Sequence, residues 1–274
     1  MKYKFLVWKN TSTLDGYDDG LIFTEDKIQA EIALLGSKPL VLDEFPNLKG
    51  IFRAGIGKDN VPEKDALEKG IIIKYPSQET VDSIFNETAV FTCHLIFRML
   101  YGYVGTLDPW YKYDRPELAK KIVLVIGTGN IGQRVVKYMQ PIMQVLTFDI
   151  LNNNESDLPE LIRQADCITL HIPKIDENEA FFNREKLAGM KDGAILVNTA
   201  RGSIVDEDAL FSEISSGRLR AAFDVFWQEP YIGKLKKFHP DKFYMSPHIA
   251  GYTDSFLFGC RKALNSLMSE LSND

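Results

Sequence analysis

Cysteine is scarce in this sequence of 274 residues, which contains Cys93, Cys167 and Cys260 and no other thiol. The three are odd in number, widely separated and without Cys-x-x-Cys or Cys/His spacing. The pattern therefore predicts neither a disulfide framework nor a zinc site. We expect a reducing, cytoplasmic setting and no bound metal.

Long hydrophobic runs are also missing. The longest covers residues 122–126, whereas a membrane-spanning helix needs ~20 apolar residues. The apolar stretch near Met1 is too short for a signal peptide and is predicted to begin the first strand. A net charge of −6 argues against nucleic acid or an anionic membrane as a partner. What remains is a soluble globular chain of one or two domains.

The first part of the chain, to about residue 76, is predicted to hold short and irregular elements. Its pattern indicates strands over 5–8, 51–53 and 71–74, and helices over 27–35 and 63–69. A long helical pattern without proline follows over 81–103. A connector rich in glycine and aromatic residues then runs over 102–116.

After the connector, short apolar strands alternate with helices. The strands are predicted over 122–126, 145–149, 167–171, 194–198, 221–224 and 243–246, and the helices over 131–139, 158–164, 184–190 and 207–215. Such alternation indicates a parallel sheet covered on both faces. We therefore expect an α/β protein with a doubly wound (Rossmann) sheet in strand order 3-2-1-4-5-6, a smaller second domain, and a last helix from Thr253.

A glycine-rich motif lies between the first of these strands and the next helix. Its glycines permit a tight turn, close approach of a diphosphate to the backbone, and packing of the helix on the strand. The helix N-terminus offers free N–H groups to the same diphosphate. We predict cofactor contacts from Gly127, Gly129, Asn130, Ile131 and Gly132.

Asp149 ends the second strand, where an acidic residue is expected to meet a ribose diol. No Arg or Lys stands at 150–154 to pair with a 2′-phosphate, so NAD is favoured over NADP. The alternative interpretation is a structural turn beside a fortuitous aspartate.

Three polar residues follow consecutive strands of the predicted sheet: Arg201, Glu229 and His248. An arginine can hold a carboxylate and polarise a neighbouring carbonyl group. A histidine can exchange a proton with the carbonyl oxygen, and a glutamate can fix the imidazole tautomer. Each residue, taken singly, also fits a structural role, but the set favours carbonyl reduction.

With these motifs in place, the sequence resembles the D-isomer-specific 2-hydroxyacid dehydrogenase family over almost all of the chain after about residue 50. The resemblance is to glyoxylate/hydroxypyruvate reductase- or phosphoglycerate dehydrogenase-like members without a regulatory domain. Asn86-Glu87-Thr88 is similar to a family segment that has a histidine in place of Thr88. The other stretches that carry it are residues 53–61, Asn198-Thr199-Ala200-Arg201-Gly202, Asp224-Val225-Phe226, Glu229-Pro230 and Pro247-His248-Ile249-Ala250-Gly251.

The resemblance implies site residues one by one. It implies Arg201 as the catalytic arginine, Glu229 as the partner of the histidine and His248 as the acid/base. Backbone N–H groups at Ile56 and Gly57, together with Arg201, would bind the substrate carboxylate. Asp224 would meet the nicotinamide carboxamide. We count as further cofactor contacts His171, Pro173, Thr199, Ala200 and His248, with His171 alternatively a helix-cap residue.

The same likeness implies a discontinuous substrate domain over 1–83 and 249–274, beside a dinucleotide-binding domain over 84–248. The long helix and the arm after it would form a homodimer contact. The expected function is hydride transfer between NAD(H) and a small 2-keto or D-2-hydroxy acid. The alternative is a regulatory NAD(H)-binding protein with little or no turnover. Whether Lys58, Trp110 or Trp227 touches substrate stays open.

Overall fold

The computed structural model describes residues 5–273, and its contacts divide them into two units. One unit holds the described residues up to Ile84 and those from Tyr252 onward, and the other holds Phe85–Gly251. The start of the predicted N-terminal strand segment, residues 1–4, lies outside the described residues.

The elements follow one another along the chain with short connections. The strands are β1 (Leu6–Lys9), β2 (Ile22–Phe23), β3 (Ile32–Leu35), β4 (Gly50–Arg53), β5 (Ile72–Lys74), β6 (Gly105–Leu107), β7 (Trp110–Lys112), β8 (Ile122–Ile126), β9 (Gln144–Phe148), β10 (Cys167–Leu170), β11 (Ile195–Asn198), β12 (Arg220–Phe223) and β13 (Phe243–Met245). The helices are α1 (Glu63–Glu68), α2 (Gln78–Leu100), α3 (Gly132–Met139), α4 (Leu158–Gln164), α5 (Arg184–Ala188), α6 (Glu207–Ser215) and α7 (Asp254–Leu271).

The first unit is built on a parallel sheet of five strands in the order β2-β1-β3-β4-β5. Helix α7 packs on it so closely that a Cβ on Gly50 would lie 3.0 Å from Leu271. The helix predicted over 27–35 is wrong, because Ile32–Leu35 forms β3. All four residues of β3 are buried, and a short strand covered on both faces shows no alternation that would reveal it.

The second unit contains a parallel sheet of six strands in the order β13-β12-β11-β10-β8-β9, which confirms the predicted α/β class. The predicted order 3-2-1-4-5-6 is wrong, because the third strand, β10, pairs with the first, β8. No strand forms between Asp149 and α4; those residues form a turn and a short 3₁₀ helix. The chain therefore returns through α4 to the far side of β8.

Alternate residues of each central strand enter two hydrophobic cores. Leu124 and Ile126 lie in the core covered by α4, α5 and α6. Val123 and Val125 lie in the other, against α2 and α3. This period of two is what a parallel strand buried on both faces requires.

The connector predicted over 102–116 forms an antiparallel hairpin of β6 and β7. Its apolar side chains point outward, with Leu107 81% and Trp110 76% exposed. Among residues 5–273, no helix combines the length and the apolar character that crossing a membrane requires.

Candidate active site

The glycine loop, residues 127–132, turns the chain from β8 into α3. Gly127 has φ of +89°, and a Cβ on it would lie 2.6 Å from the carbonyl oxygen of His171. A Cβ on Gly132 would lie 1.9 Å from the carbonyl oxygen of Gly127. A Cβ on Gly129, by contrast, would have no neighbour within 4 Å. Two glycines therefore permit the close turn, and the third leaves open space beside the loop.

Asp149, directly after β9, is joined to the glycine loop. Its Oδ2 accepts from the backbone N–H of Thr128 at 2.7 Å and from the Thr128 hydroxyl at 2.9 Å. The backbone hydrogen bond from Thr128 is the main cause that lowers the pKa of Asp149. The group is therefore an anion beside the loop, and a carboxylate can accept hydrogen bonds from hydroxyl groups such as those of a ribose diol.

His171 follows β10 on the other side of the glycine loop. Burial lowers the pKa of its imidazole to about 3, so the ring is neutral at physiological pH. Nε2 lies 3.0 Å from the Thr169 hydroxyl, and the buried Nδ1 has no partner. Pro173 lies further along the same exposed loop and accepts at its carbonyl from Asn178 at 2.8 Å.

These features fit NAD. The open side of Gly129, the anionic Asp149 and the neutral ring of His171 follow β8, β9 and β10 respectively, and these three strands are neighbours in the sheet. A dinucleotide binds outside the carboxyl ends of strands in such sheets. Within the described part of the chain, no cluster of three His, Cys, Asp or Glu side chains suits a metal ion.

Asn198, the last residue of β11, shapes the loop that carries Arg201. Its Oδ1 accepts from the backbone N–H of Ala200 at 2.9 Å, and its Nδ2 donates to the carbonyl of Arg201 at 2.8 Å. Thr199, between them, is 7% exposed. The side chain of one buried residue thus sets the path of the next three.

Arg201 lies beside the loop after β12. Its Nη1 donates to the carbonyl of Ala200 at 2.8 Å. A Cβ on the next residue, Gly202, would lie 2.1 Å from the carbonyl carbon of Phe226. Glycine at 202 is therefore what lets the two loops approach each other.

Glu229 and His248 form a pair at the same edge of the sheet. Nδ1 of His248 lies 2.9 Å from Oε2 and 3.1 Å from Oε1 of Glu229, while the backbone N–H of Phe226 donates to Oε1. Burial raises the pKa of Glu229, but the hydrogen bond and charge of His248, with the charge of Arg201, outweigh it. The net result is a pKa below the ordinary value. The carboxylate is therefore charged and fixes the imidazole by its Nδ1.

The carboxylate of Asp224 accepts hydrogen bonds from the loop that contains His248. The carboxylate accepts from the Ser246 hydroxyl at 2.6 Å and from the backbone N–H groups of Ile249 and Ala250. His248 itself has φ of +55°, a left-handed conformation that is unusual for a residue other than glycine. Asp224 is fully buried, and burial raises its pKa although these hydrogen bonds oppose the change.

In the first unit, residues 54–58 form a loop after β4 that contains Ile56 and Gly57. Gly55 has φ of +136°, and a Cβ there would lie 2.6 Å from Nη1 of Arg53. Arg53 is buried, and its Nε donates to the side-chain oxygen of Asn60 at 3.1 Å. Asn60 in turn donates to the carbonyls after β3. The hydrogen bonds of these two buried side chains therefore stabilise the conformation of this loop.

The three residues left open in the sequence have different surroundings. Lys58 is 3.5 Å from Glu63 and lies over the ring of Tyr75, so its charge is balanced inside the first unit. Trp227 stacks on Phe223, and its indole N–H donates to the carbonyl of Val205. Trp110 lies on the exposed hairpin.

Sequence reasoning did not single out Asn198, Asn60 or Ser246 as residues that shape these loops. Asparagine near a strand end is a known signal for a side chain that hydrogen-bonds nearby backbone. That signal was available for Asn198. The contacts of Asn60 and Ser246 join segments about 20 residues apart, and local pattern does not reveal them.

Comparison with known proteins gives a family match and several similar relatives. The family described as D-isomer specific 2-hydroxyacid dehydrogenase, NAD binding domain, matches residues 107–250. A hydroxypyruvate reductase of Thermotoga maritima is 36% identical over 228 residues, 78% of this chain and 74% of the relative. A glyoxylate reductase of Thermofilum pendens is 33% identical over 260 residues, 85% of this chain and 72% of the relative.

A solved structure is similar over nearly the full length. The D-lactate dehydrogenase of Aquifex aeolicus, in complex with NAD and lactic acid, superposes with a TM-score of 0.78 at 25% identity. The match covers 98% of this chain and 95% of that one.

Proposed function

The chain belongs to the D-isomer specific 2-hydroxyacid dehydrogenase family and uses NAD, and from this premise we propose that it interconverts a small 2-keto acid and the matching D-2-hydroxy acid. The observation that carries the proposal is the 2.9 Å contact between His248 and Glu229 beside Arg201. It joins an acid/base, its orienting carboxylate and a fixed cation at one sheet edge.

Each side chain has one task in this proposal. Because Nδ1 of His248 is held by Glu229, Nε2 is the atom that gives a proton to the carbonyl oxygen, or removes it in the oxidative direction. Arg201 binds the substrate carboxylate and polarises the adjacent carbonyl. NAD, when bound, supplies or accepts the hydride.

We propose that the cofactor lies along the carboxyl edge of the second unit's sheet. Its diphosphate contacts the glycine loop and its ribose diol contacts Asp149. The other proposed contacts are Asn130, Ile131, His171, Pro173, Thr199, Ala200, Asp224 and His248.

The two units have separate roles in the proposal. The discontinuous one, over 1–83 and 249–274, is the substrate domain and contributes Ile56 and Gly57 to carboxylate binding. The other, over 84–248, is the dinucleotide-binding domain. We also propose a homodimer, formed through α2 and the hairpin of β6 and β7, in a cytoplasmic setting.

A 2-keto-acid panel tests the reaction. The purified protein is expected to oxidise NADH with at least one of glyoxylate, hydroxypyruvate and pyruvate. H248N should lower kcat by about 10²–10⁴-fold, because it removes the proton donor, and measuring kcat at saturating NADH separates this loss from any change in cofactor binding.

Two outcomes would count against this assignment. Wild-type rates in H248N would remove His248 from the mechanism. Tight NADH binding without turnover on a broad panel would favour the regulatory alternative instead.

A further inference from the structure

A chain of buried hydrogen bonds joins helix α2 to the end of β11. The hydroxyl of Thr92 donates to the carbonyl oxygen of Thr88, one helical turn earlier, at 2.7 Å. The hydroxyl oxygen of Thr92 also lies 2.8 Å from the hydroxyl oxygen of Thr199. Thr92 is fully buried and Thr199 is 7% exposed, so water has little access to these bonds.

The number of available protons shows which group donates in each of these hydrogen bonds. A threonine hydroxyl has one proton and two lone pairs. The proton of Thr92 is committed to the carbonyl of Thr88, which can only accept. In the contact between the two hydroxyls, Thr199 is therefore the donor and Thr92 the acceptor. Because Thr199 donates its one proton to Thr92, it can only accept a hydrogen bond from any further group.

Thr199 lies at the part of the sheet edge where the nicotinamide half of a bound dinucleotide is expected. It follows β11, which is two strands from β8 and its glycine loop, on the side away from Asp149 and β9. Two strand spacings are about 10 Å. A diphosphate at the glycine loop and a ribose at Asp149 leave the nicotinamide half for the side of the sheet where β11 ends.

We propose that Thr92 is a positioning residue, which fixes the hydroxyl of Thr199 as an acceptor for the amide NH₂ of the nicotinamide carboxamide. The carboxamide has a donor end and an acceptor end of similar shape. An acceptor of fixed direction distinguishes them, whereas a hydroxyl with a free proton pairs with either. Thr92 thereby contributes to which way the ring is held, without touching it. This inference rests on the proposed use of the site by NAD.

The test compares binding of NADH with binding of ADP-ribose, which lacks the nicotinamide, by calorimetry. T92V keeps the shape of Thr92 and removes its hydroxyl. It leaves the proton of Thr199 without its acceptor, so that the hydroxyl no longer acts only as an acceptor. NADH should bind about three- to fivefold more weakly, less than the loss of a whole hydrogen bond, and ADP-ribose should stay within about twofold. T92S restores the hydroxyl and should bind both ligands as the unmodified protein does.

Two further variants separate this role from simple packing. T88V makes the same change one turn earlier but keeps the carbonyl that Thr92 uses, so NADH affinity should not change. T199V removes the acceptor itself. It should weaken NADH at least as much as T92V does, and adding T92V to it should have no further effect, because Thr92 acts only through Thr199.

An analogue in which a methyl ketone replaces the carboxamide supplies the last measurement. It lacks the NH₂ donor, so the unmodified protein should prefer the natural cofactor, and T92V should reduce that preference. The proposal is overturned if T92V binds NADH as tightly as the unmodified protein, or loses NADH and ADP-ribose equally. If the unmodified protein binds neither ligand, the proposed function fails. That result is distinct from the others, in which NADH binds.

Discussion

At the scale of single residues, His248 has a backbone conformation that the rest of the chain must stabilise. A residue other than glycine at φ near +55° costs on the order of 1–3 kcal/mol. Asp224 offsets this cost by accepting from the side-chain hydroxyl of Ser246 before the histidine and from the backbone N–H groups of Ile249 and Ala250 after it. The sequence shows a His next to a Pro but not this conformation, because φ here is set by a carboxylate more than 20 residues away.

His171 gives a prediction about acid sensitivity. Burial lowers its pKa to about 3, below the ~6.5 of a free imidazole. Between these values the unfolded chain binds a proton that the folded chain does not. Stability from this residue is therefore complete above about pH 6.5 and declines as the pH falls towards 3.

The cofactor-free protein should lose about 2 kcal/mol more unfolding free energy than H171N between pH 7.5 and pH 5. Urea denaturation of both proteins at the two pH values measures the difference. Equal losses would show that His171 does not stay neutral in the folded protein.

At the scale of elements, the β8–α3 segment was predictable because three signals coincide there. An apolar run, a glycine motif and an amphipathic helix each indicate the same structure. Strand β3 was not predictable from the sequence, because four buried residues in a row fit a helix or a strand equally well. The predicted strand order was also wrong. The order depends on the absence of a strand between Asp149 and α4, and no pattern within the other strands reveals that absence.

The glycine loop gives a prediction that separates folding from binding. In G129A the new methyl group meets open space, so unfolding free energy should stay within about 0.5 kcal/mol. NADH affinity should fall about tenfold or more, because the methyl group occupies the approach of the diphosphate.

G132A is the matched control for this loop. Its Cβ would lie 1.9 Å from the carbonyl of Gly127, so it should destabilise the protein by about 1–3 kcal/mol or more. Chemical denaturation and NADH titration of both variants decide the matter. A stable G129A with unchanged NADH affinity would place the diphosphate elsewhere.

At the scale of the whole molecule, the hairpin of β6 and β7 predicts the oligomeric state. Leu107, Trp110 and Tyr111 are each more than 60% exposed on an arm with little core of its own. Such patches mark interaction surfaces. We expect the unmodified protein to be a dimer and the L107S/W110S variant to be a folded monomer, as measured by light scattering.

L151S is the control for this experiment. Leu151 is 87% exposed in the same unit but lies far along the chain from the hairpin, after β9. Its replacement should leave the dimer intact. A dimer that survives the hairpin variant would assign the contact to another surface.

The return of the chain to its first unit has a consequence for synthesis on the ribosome. The sheet of β1–β5 lacks its covering helix until α7 has been made, because Leu264, Leu267 and Met268 belong to that core. At about 5–20 residues per second, the intervening stretch takes on the order of 10–40 s to emerge. During that interval the later-made middle of the chain can fold to completion, while the earlier-made beginning waits with its apolar face open to chaperones.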